Sequence, residues 1–237
     1  MSGGAKSGGW RRTGRLVAAL APVFLCLILL AALIGAREAA LLQPAELGAY
    51  DVFVRLREAP QSTPDVAMIS VDDKALDEWG WPIPDGRLAQ LIEAAAAAGA
   101  QFIALDIFRD RPVGSGHEEL VRVLEDAPVY GAMKFSDGAG IAVAPPPALE
   151  QSGRFGVIDV PVDDDGVVRR SLLYVDDGKT VFPGLALKVT LEYLKDLGIR
   201  QTADPDDRTR MRLGEASLGP LAPDAGPYQT ADSRGYQ

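Results

Sequence analysis

Residues 16–34, LVAALAPVFLCLILLAALI, run for 19 positions without a charge, and no other stretch restricts the chain's options as strongly. At about 1.5 Å of rise per residue, a helix of this length crosses the roughly 30 Å hydrocarbon core of a bilayer. The run therefore reads as a transmembrane helix over residues 16–35, with Pro22 as a tolerated kink. Lys6, Arg11, Arg12 and Arg15 precede it in a Gly- and Ser-rich tail, residues 1–15, and Arg37 and Glu38 follow it. That asymmetry places the amino end in the cytoplasm and everything after residue 35 outside. A cleaved signal peptide is the rival reading. Against it, the apolar region exceeds the roughly 7–15 residues usual for such a peptide, and Ile34, Gly35, Ala36 is a poor small-x-small cleavage site. Both readings put the rest of the chain beyond the membrane; the anchor reading makes it a single-pass inner-membrane protein.

All 33 acidic residues lie after Ile34, where only 20 of the 24 basic ones remain, a net charge of −13 for that part. Such a surface repels nucleic-acid phosphates, so nucleic acid is excluded as a partner. Cys26 is the sole cysteine and lies within the apolar run, so the chain can build neither a disulfide framework nor a thiolate metal site. Nothing in it calls for a cofactor.

Past the span, residues 44–58 place Leu47, Tyr50, Val54 and the stem of Arg57 on one stripe, with Phe53 beside it. This predicts a juxtamembrane helix within residues 36–58 that docks on the following domain or pairs with a second copy as a homodimer. Residues 59–63 form a linker, and residues 59–237 a single extracytoplasmic domain. Its hub is residues 64–112. The apolar run 66–71, opened by Pro64 and closed by Asp72, Asp73 and Lys74, predicts a strand buried on both faces. Residues 86–98 predict a helix capped by Asp85, with Leu88, Leu91 and Ile92 on one face and Gly99 as its left-handed stop. Residues 102–105 predict a second strand, ending in Asp106. A helix between two such runs implies a right-handed crossover joining parallel strands. Ligands gather at the carboxyl ends of strands in sheets of this kind. Asp72, Asp73 and Asp106 are expected there.

Residues 109–116 read as a turn-rich loop and 117–126 as a helix on Leu120, Val121 and Leu124. Residues 129–135 follow as a third strand and 136–140 as a tight turn. The prolines at 145–147 rule out regular structure there. Residues 155–160 and 167–175, joined by PVDDDG, predict an antiparallel pair, and Asp177-Gly178 a further turn. Residues 183–197 predict a last helix stopped at Gly198. Beyond residue 200 only a short strand at 210–213 is expected. The predicted fold is α/β: a mixed sheet with a parallel βαβ core plus an antiparallel hairpin, flanked by helices, behind one N-terminal transmembrane helix.

Asp72 and Asp106, with Asp73, offer the oxygen ligands that Mg²⁺ or Ca²⁺ prefer. The alternative is structural, with Asp72 capping the next turn, Asp73 in solvent and Asp106 bonding backbone amides or Arg87. Trp79 and Trp81 sit in a proline-stiffened loop, EWGWPIPDG, where an aromatic either covers the sheet edge or walls a pocket. Arg169 and Arg170 leave the acidic turn at 163–165; one of them meets an anionic ligand or forms a structural ion pair, Asp106 being the expected partner. His117, the only histidine, reads as a surface residue, since no Gly-x-Ser-x-Gly elbow is present for it to serve.

VDDKAL (71–76), GWPIP (80–84), LDIFRDRP (105–112), DDDGVVRR (163–170) and FPGLAL (182–187) occur in that order behind the span and behind Tyr50, Asp51, Arg55 and Arg57. In this the chain resembles the type-2 CHASE domain, an extracytoplasmic sensor module of bacterial receptors, over about residues 36–237. Two positions depart from the family's pattern: Asp85 stands where arginine usually follows the WPxP motif, with Arg87 two residues on, and Gly184 replaces a common serine. The resemblance implies an α/β sensor without catalysis of its own. It also implies final strands and returning membrane helices beyond residue 237, leading to a cytoplasmic nucleotide cyclase or kinase. Candidate ligand contacts are Asp72, Asp73, Trp81, Arg87, Asp106 and Arg169, for an unknown small molecule or cation. Two further readings stand beside the sensor: a ligand-independent dimerisation domain and a metal-dependent phosphohydrolase.

Overall fold

The computed structural model describes residues 8–58, 66–135, 141–222 and 225–228, with side chains from residue 20 onward. These residues form two compact units, one of 8–58 with 222 and 225–228, the other of 66–135 with 141–221. The linker expected at 59–63 and the turn expected at 136–140 lie outside the described residues.

In the first unit, α1 (Gly8–Glu38) carries Pro22 inside it. The helix starts at Gly8, so the second half of the Gly- and Ser-rich basic tail is helical. Propagation adds one hydrogen bond per residue once an apolar segment has nucleated the helix, so the turn before such a segment is readily recruited. Leu20–Glu38 is the one helical segment among the described residues long and apolar enough to cross a membrane. α2 (Gln43–Leu56) follows with proline in its first turn and buries Leu47. Arg37 ties the unit together, its Nε donating to Glu46 Oε1 at 3.1 Å and its Nη2 to the Gly226 carbonyl at 3.2 Å.

The second unit is built on a parallel sheet. Its elements run α3 (Asp73–Trp79), α4 (Asp85–Ala97), β1 (Ile103–Leu105), α5 (His117–Asp126), β2 (Val129–Met133), α6 (Pro147–Glu150) and β3 (Phe155–Val157). β2 lies between β1 and β3 and pairs parallel with both. Every residue of β2 is buried, so period-2 alternation sends its neighbours into two different layers. Val129 joins Leu88, Ile92, Leu105, Leu120 and Leu124 beneath α4 and α5. Tyr130 and Ala132 join Leu185 and Val189 of α7 (Leu185–Asp196) on the other face. Arg154 holds the carboxyl end of α5 from below, its Nη2 donating to the Leu124 and Glu125 carbonyls at 2.8 and 2.9 Å, where a cation complements the helix dipole.

Two expectations about the sheet require correction. Residues 66–71 form no strand and pair with none, and Val66, Met68 and Ile69 are 80%, 90% and 66% exposed. An apolar run becomes a strand only where another strand accepts its backbone bonds. β1 bonds to β2 alone, so the crossover that builds the parallel pair is α5, one step later than the sequence suggested. The pairing of 155–160 with 167–175 also fails: β3 pairs with β2, and only a single antiparallel bridge, Val162 to Val168, closes the turn between the two segments. The antiparallel hairpin is instead β4 (Tyr174–Asp176) with β5 (Val181–Pro183), turned at Asp177, whose Oδ1 accepts from the amides of Lys179 and Thr180.

Four further elements were not foreseen: α3, α6, β6 (Gln201–Ala203) and β8 (Ala216–Leu218). α3 follows the cap at Asp72, and α6 begins at Pro147, a first-turn position where a missing N–H costs nothing. A separate antiparallel sheet joins β6, β7 (Met211–Leu213) and β8; only β7 was expected. β6 is exposed along its length, so no buried face imprinted a hydrophobic alternation on it.

Candidate functional site

The most deeply placed charge in the second unit is Asp85. At the head of α4 it was expected to cap the helix, but the cap position is Pro84 and no side chain bonds the free amides. The Asp85 carboxylate turns toward residues 109–117 instead. Oδ2 accepts from the Val113 amide at 3.1 Å and lies 2.8 Å from His117 Nδ1, while the Asp85 amide donates back to the Val113 carbonyl at 2.8 Å. The Gly86 amide donates to the Ser115 carbonyl at 2.8 Å. This ladder brings two backbones so close that a Cβ on Gly116 would sit 2.4 Å from the Gly86 Cα, and Gly116 has φ +88°. Only glycine combines that approach with that torsion.

Arg109 completes the cluster. Its Nη1 donates to the Phe108 carbonyl at 2.7 Å and its Nη2 to the Ile83 carbonyl at 2.6 Å. Its Nε lies 3.1 Å from Asp85 Oδ1. At that distance the buried pair is held chiefly by charge, its Nε–Oδ1 contact being poorly aligned for a hydrogen bond. Both side chains are buried. Burial pulls the guanidinium below its ordinary pKa and Asp85 opposes that pull; arginine starts so high that it stays charged. Since a carboxylate only accepts, Nδ1 of His117 carries the proton in the bond to Asp85 and Nε2 is the second nitrogen. His117 begins α5 as expected, yet it is not simply a surface residue: its side chain is 43% exposed and anchored to a fully buried carboxylate.

Arg109, Arg111, His117 and Asp85 line a cavity of about 40 Å³ together with an apolar wall, Leu120, Val121 and Leu124 from α5 and Pro146, Pro147 and Ala148 at the start of α6. The sequence missed this site because its four polar residues span 33 positions. The one available signal was Arg109 in the apolar setting IFRD, since a buried guanidinium demands a carboxylate.

The residues singled out from sequence lie elsewhere. Asp72 caps α3, its Oδ1 accepting from the Ala75 amide at 2.9 Å, and Asp73 opens that helix in solvent. Trp81 and Asp106 are exposed, and Arg87 donates to Gln90 Oε1 at 3.1 Å. Among the described residues no group of three His, Cys, Asp or Glu side chains gathers to hold a metal. Arg169 does not reach Asp106. Its Nη1 donates to Asp163 Oδ2 at 2.8 Å and its Nη2 to Asp165 Oδ2 at 2.6 Å, while Arg170 Nη2 donates to Asp163 Oδ1 at 2.6 Å. The DDDGVVRR stretch thus folds on itself as an ion-pair network.

Four aspartates in this unit are held below the usual carboxylate pKa by hydrogen bonds to the ionised form: Asp165 by Arg169, Asp177 by the Thr180 amide, Asp204 by Ser217 and Asp207 by Thr209. A depressed folded pKa contributes stability that is complete above the unfolded value, near pH 4, and is lost as pH falls through the folded one. The melting temperature is therefore expected to hold steady from pH 7 to about 5 and to decline below about 4. Thermal melts from pH 7 to 3 test this, and Asp165→Asn should show the shallower acid limb.

Residues 26–231, most of the chain, match the CHASE2 domain family. No curated protein and no solved structure matches the chain.

Proposed function

This chain belongs to the CHASE2 domain family, and from that membership we propose that it is the membrane-anchored sensory part of a receptor, with its amino end in the cytoplasm and residues 36–237 outside. CHASE2 domains are extracytoplasmic and sensory rather than catalytic. The family match carries the reading. The apolar helix at Leu20–Glu38 supports it, as does the basic cluster before that helix. A stimulus bound by the domain would bias the packing of elements near the membrane and so the activity of a cytoplasmic cyclase or kinase. Fusing alkaline phosphatase, which is active only outside the cytoplasm, after residue 237 tests the orientation. Active phosphatase is expected; a fusion that is expressed but inactive, its phosphatase held in the cytosol, overturns the arrangement.

Ligand-independent dimerisation is a second reading, favoured by α2, whose Phe53 and Leu56 are exposed. A contiguous apolar face of this kind marks an interaction surface more often than a solvated one. Sedimentation of the detergent-solubilised chain separates the two readings, since a dimer indifferent to every additive supports this one.

A further inference from the structure

We propose that the cavity beside Asp85 and His117 binds a short aliphatic monocarboxylate, of the size of acetate or propionate, with Arg111 as its anion contact. The proposal deepens the sensory reading, resting on it for its biological meaning and on the geometry for the binding itself.

Charge comes first. The chain carries a net −9, yet three of the four polar side chains around this cavity are basic and one is acidic. Asp85 is matched within the cluster by Arg109 at 3.1 Å. That leaves a positive surplus, and it resides on Arg111, an exposed residue of the cavity lining that makes no hydrogen bond or ion pair among the described residues. His117 is held in place by its Nδ1 bond to Asp85 and supplies a wall of the cavity rather than a donor to an anion. The Arg111 guanidinium is thus the acceptor-seeking group of the lining, and a carboxylate is the group that a guanidinium fork fits.

Size and polarity then narrow the class. A cavity of about 40 Å³ holds about three waters, given the roughly 10–15 Å³ each requires, so nucleotides, sugars and peptides are too large. An inorganic oxyanion would press bare oxygens against Leu120, Val121, Leu124 and the two prolines, where no donor waits for them. An alkyl tail of one or two carbons suits that wall, with its charged end toward Arg111. The site lies between a face of α5 and the start of α6, so occupancy bears on two elements packed into the same core cluster.

Isothermal titration of the full chain in detergent micelles, at fixed ionic strength, provides the test, with sodium acetate, propionate, phosphate and chloride as probes. Saturable binding of acetate or propionate is expected, weakened at least tenfold by Arg111→Ala and abolished by Val121→Phe, which fills the cavity. Arg122→Ala, on the same helix and outside the cavity, should bind as the parent does. Far-ultraviolet circular dichroism and melting temperature confirm that each variant is folded. Absence of saturable binding by either monocarboxylate, equal affinity in Arg111→Ala, or phosphate binding as tightly as propionate would each overturn the proposal. Arg111-dependent binding alongside a cytosolic fusion reporter would sink the sensory arrangement and leave the pocket standing; an extracytoplasmic reporter without binding would do the reverse.

Discussion

Asp85→Ala is expected to lower the unfolding free energy by about 3–5 kcal/mol, the range for removing one partner of a buried ion pair. The loss follows from what is left behind. Arg109 would keep its charge among buried neighbours with only the Ile83 and Phe108 carbonyls as acceptors, and the Val113 amide and His117 ring would lose their acceptor as well. At about 2–4 °C per kcal/mol for a domain of this size, the melting temperature should fall on the order of 10 °C. Differential scanning calorimetry of the solubilised chain measures it. Asp85→Leu combined with Arg109→Met should recover most of the loss, because two apolar side chains of similar bulk leave no stranded charge. A single variant that melts with the parent would show that the cluster contributes no stability.

Asp163→Asn is expected to produce the second large loss, about 3 kcal/mol by the same reasoning. One carboxylate serves two guanidiniums there, and all three side chains are nearly inaccessible, at 5% for Asp163, 4% for Arg169 and 11% for Arg170. Arg169 keeps Asp165 after the change, whereas Arg170 loses its carboxylate contact at 2.6 Å. Asp165→Asn should cost distinctly less, since its side chain is 47% exposed and water replaces much of the interaction. Urea unfolding followed by tryptophan fluorescence ranks the two. If Asp165→Asn proves the more damaging, the turn rather than the buried carboxylate organises the network.

The ranking bears on how the family's motifs are understood. DDDGVVRR and LDIFRDRP each hold charges that a sequence reading offers to a ligand. In the folded chain Arg169, Arg170, Arg109 and Asp85 are engaged with one another or with backbone carbonyls. Arg111, in the same motif as Arg109, is the charge left over. Motif residues here divide into those that hold the fold and those that remain open to a partner, and burial is what divides them.

What could be read from the residues alone was whatever short-range physics enforces. Nineteen uncharged residues favour an unbroken helix, so a helix long and apolar enough to cross a membrane was legible. The three-to-four spacing in HEELVRVLED and in the last helix, the stop at Gly99 and the apolar runs before Asp106 and at 129–135 each fixed an element within a residue or two. Ordered motifs added the family. The tertiary structure alone decided which strand lies beside which and which charge meets which. Residues 66–71 had a strand's composition and found no edge to bond to, while β3 joined the parallel sheet instead of the hairpin. Asp85 had an N-cap's position, yet its carboxylate serves Arg109 and His117, 24 and 32 residues further along the chain. A local pattern states how strongly a segment prefers a shape. The partners of a buried polar group are set by the desolvation penalty it would otherwise suffer, and that penalty exists only after distant segments have closed over it.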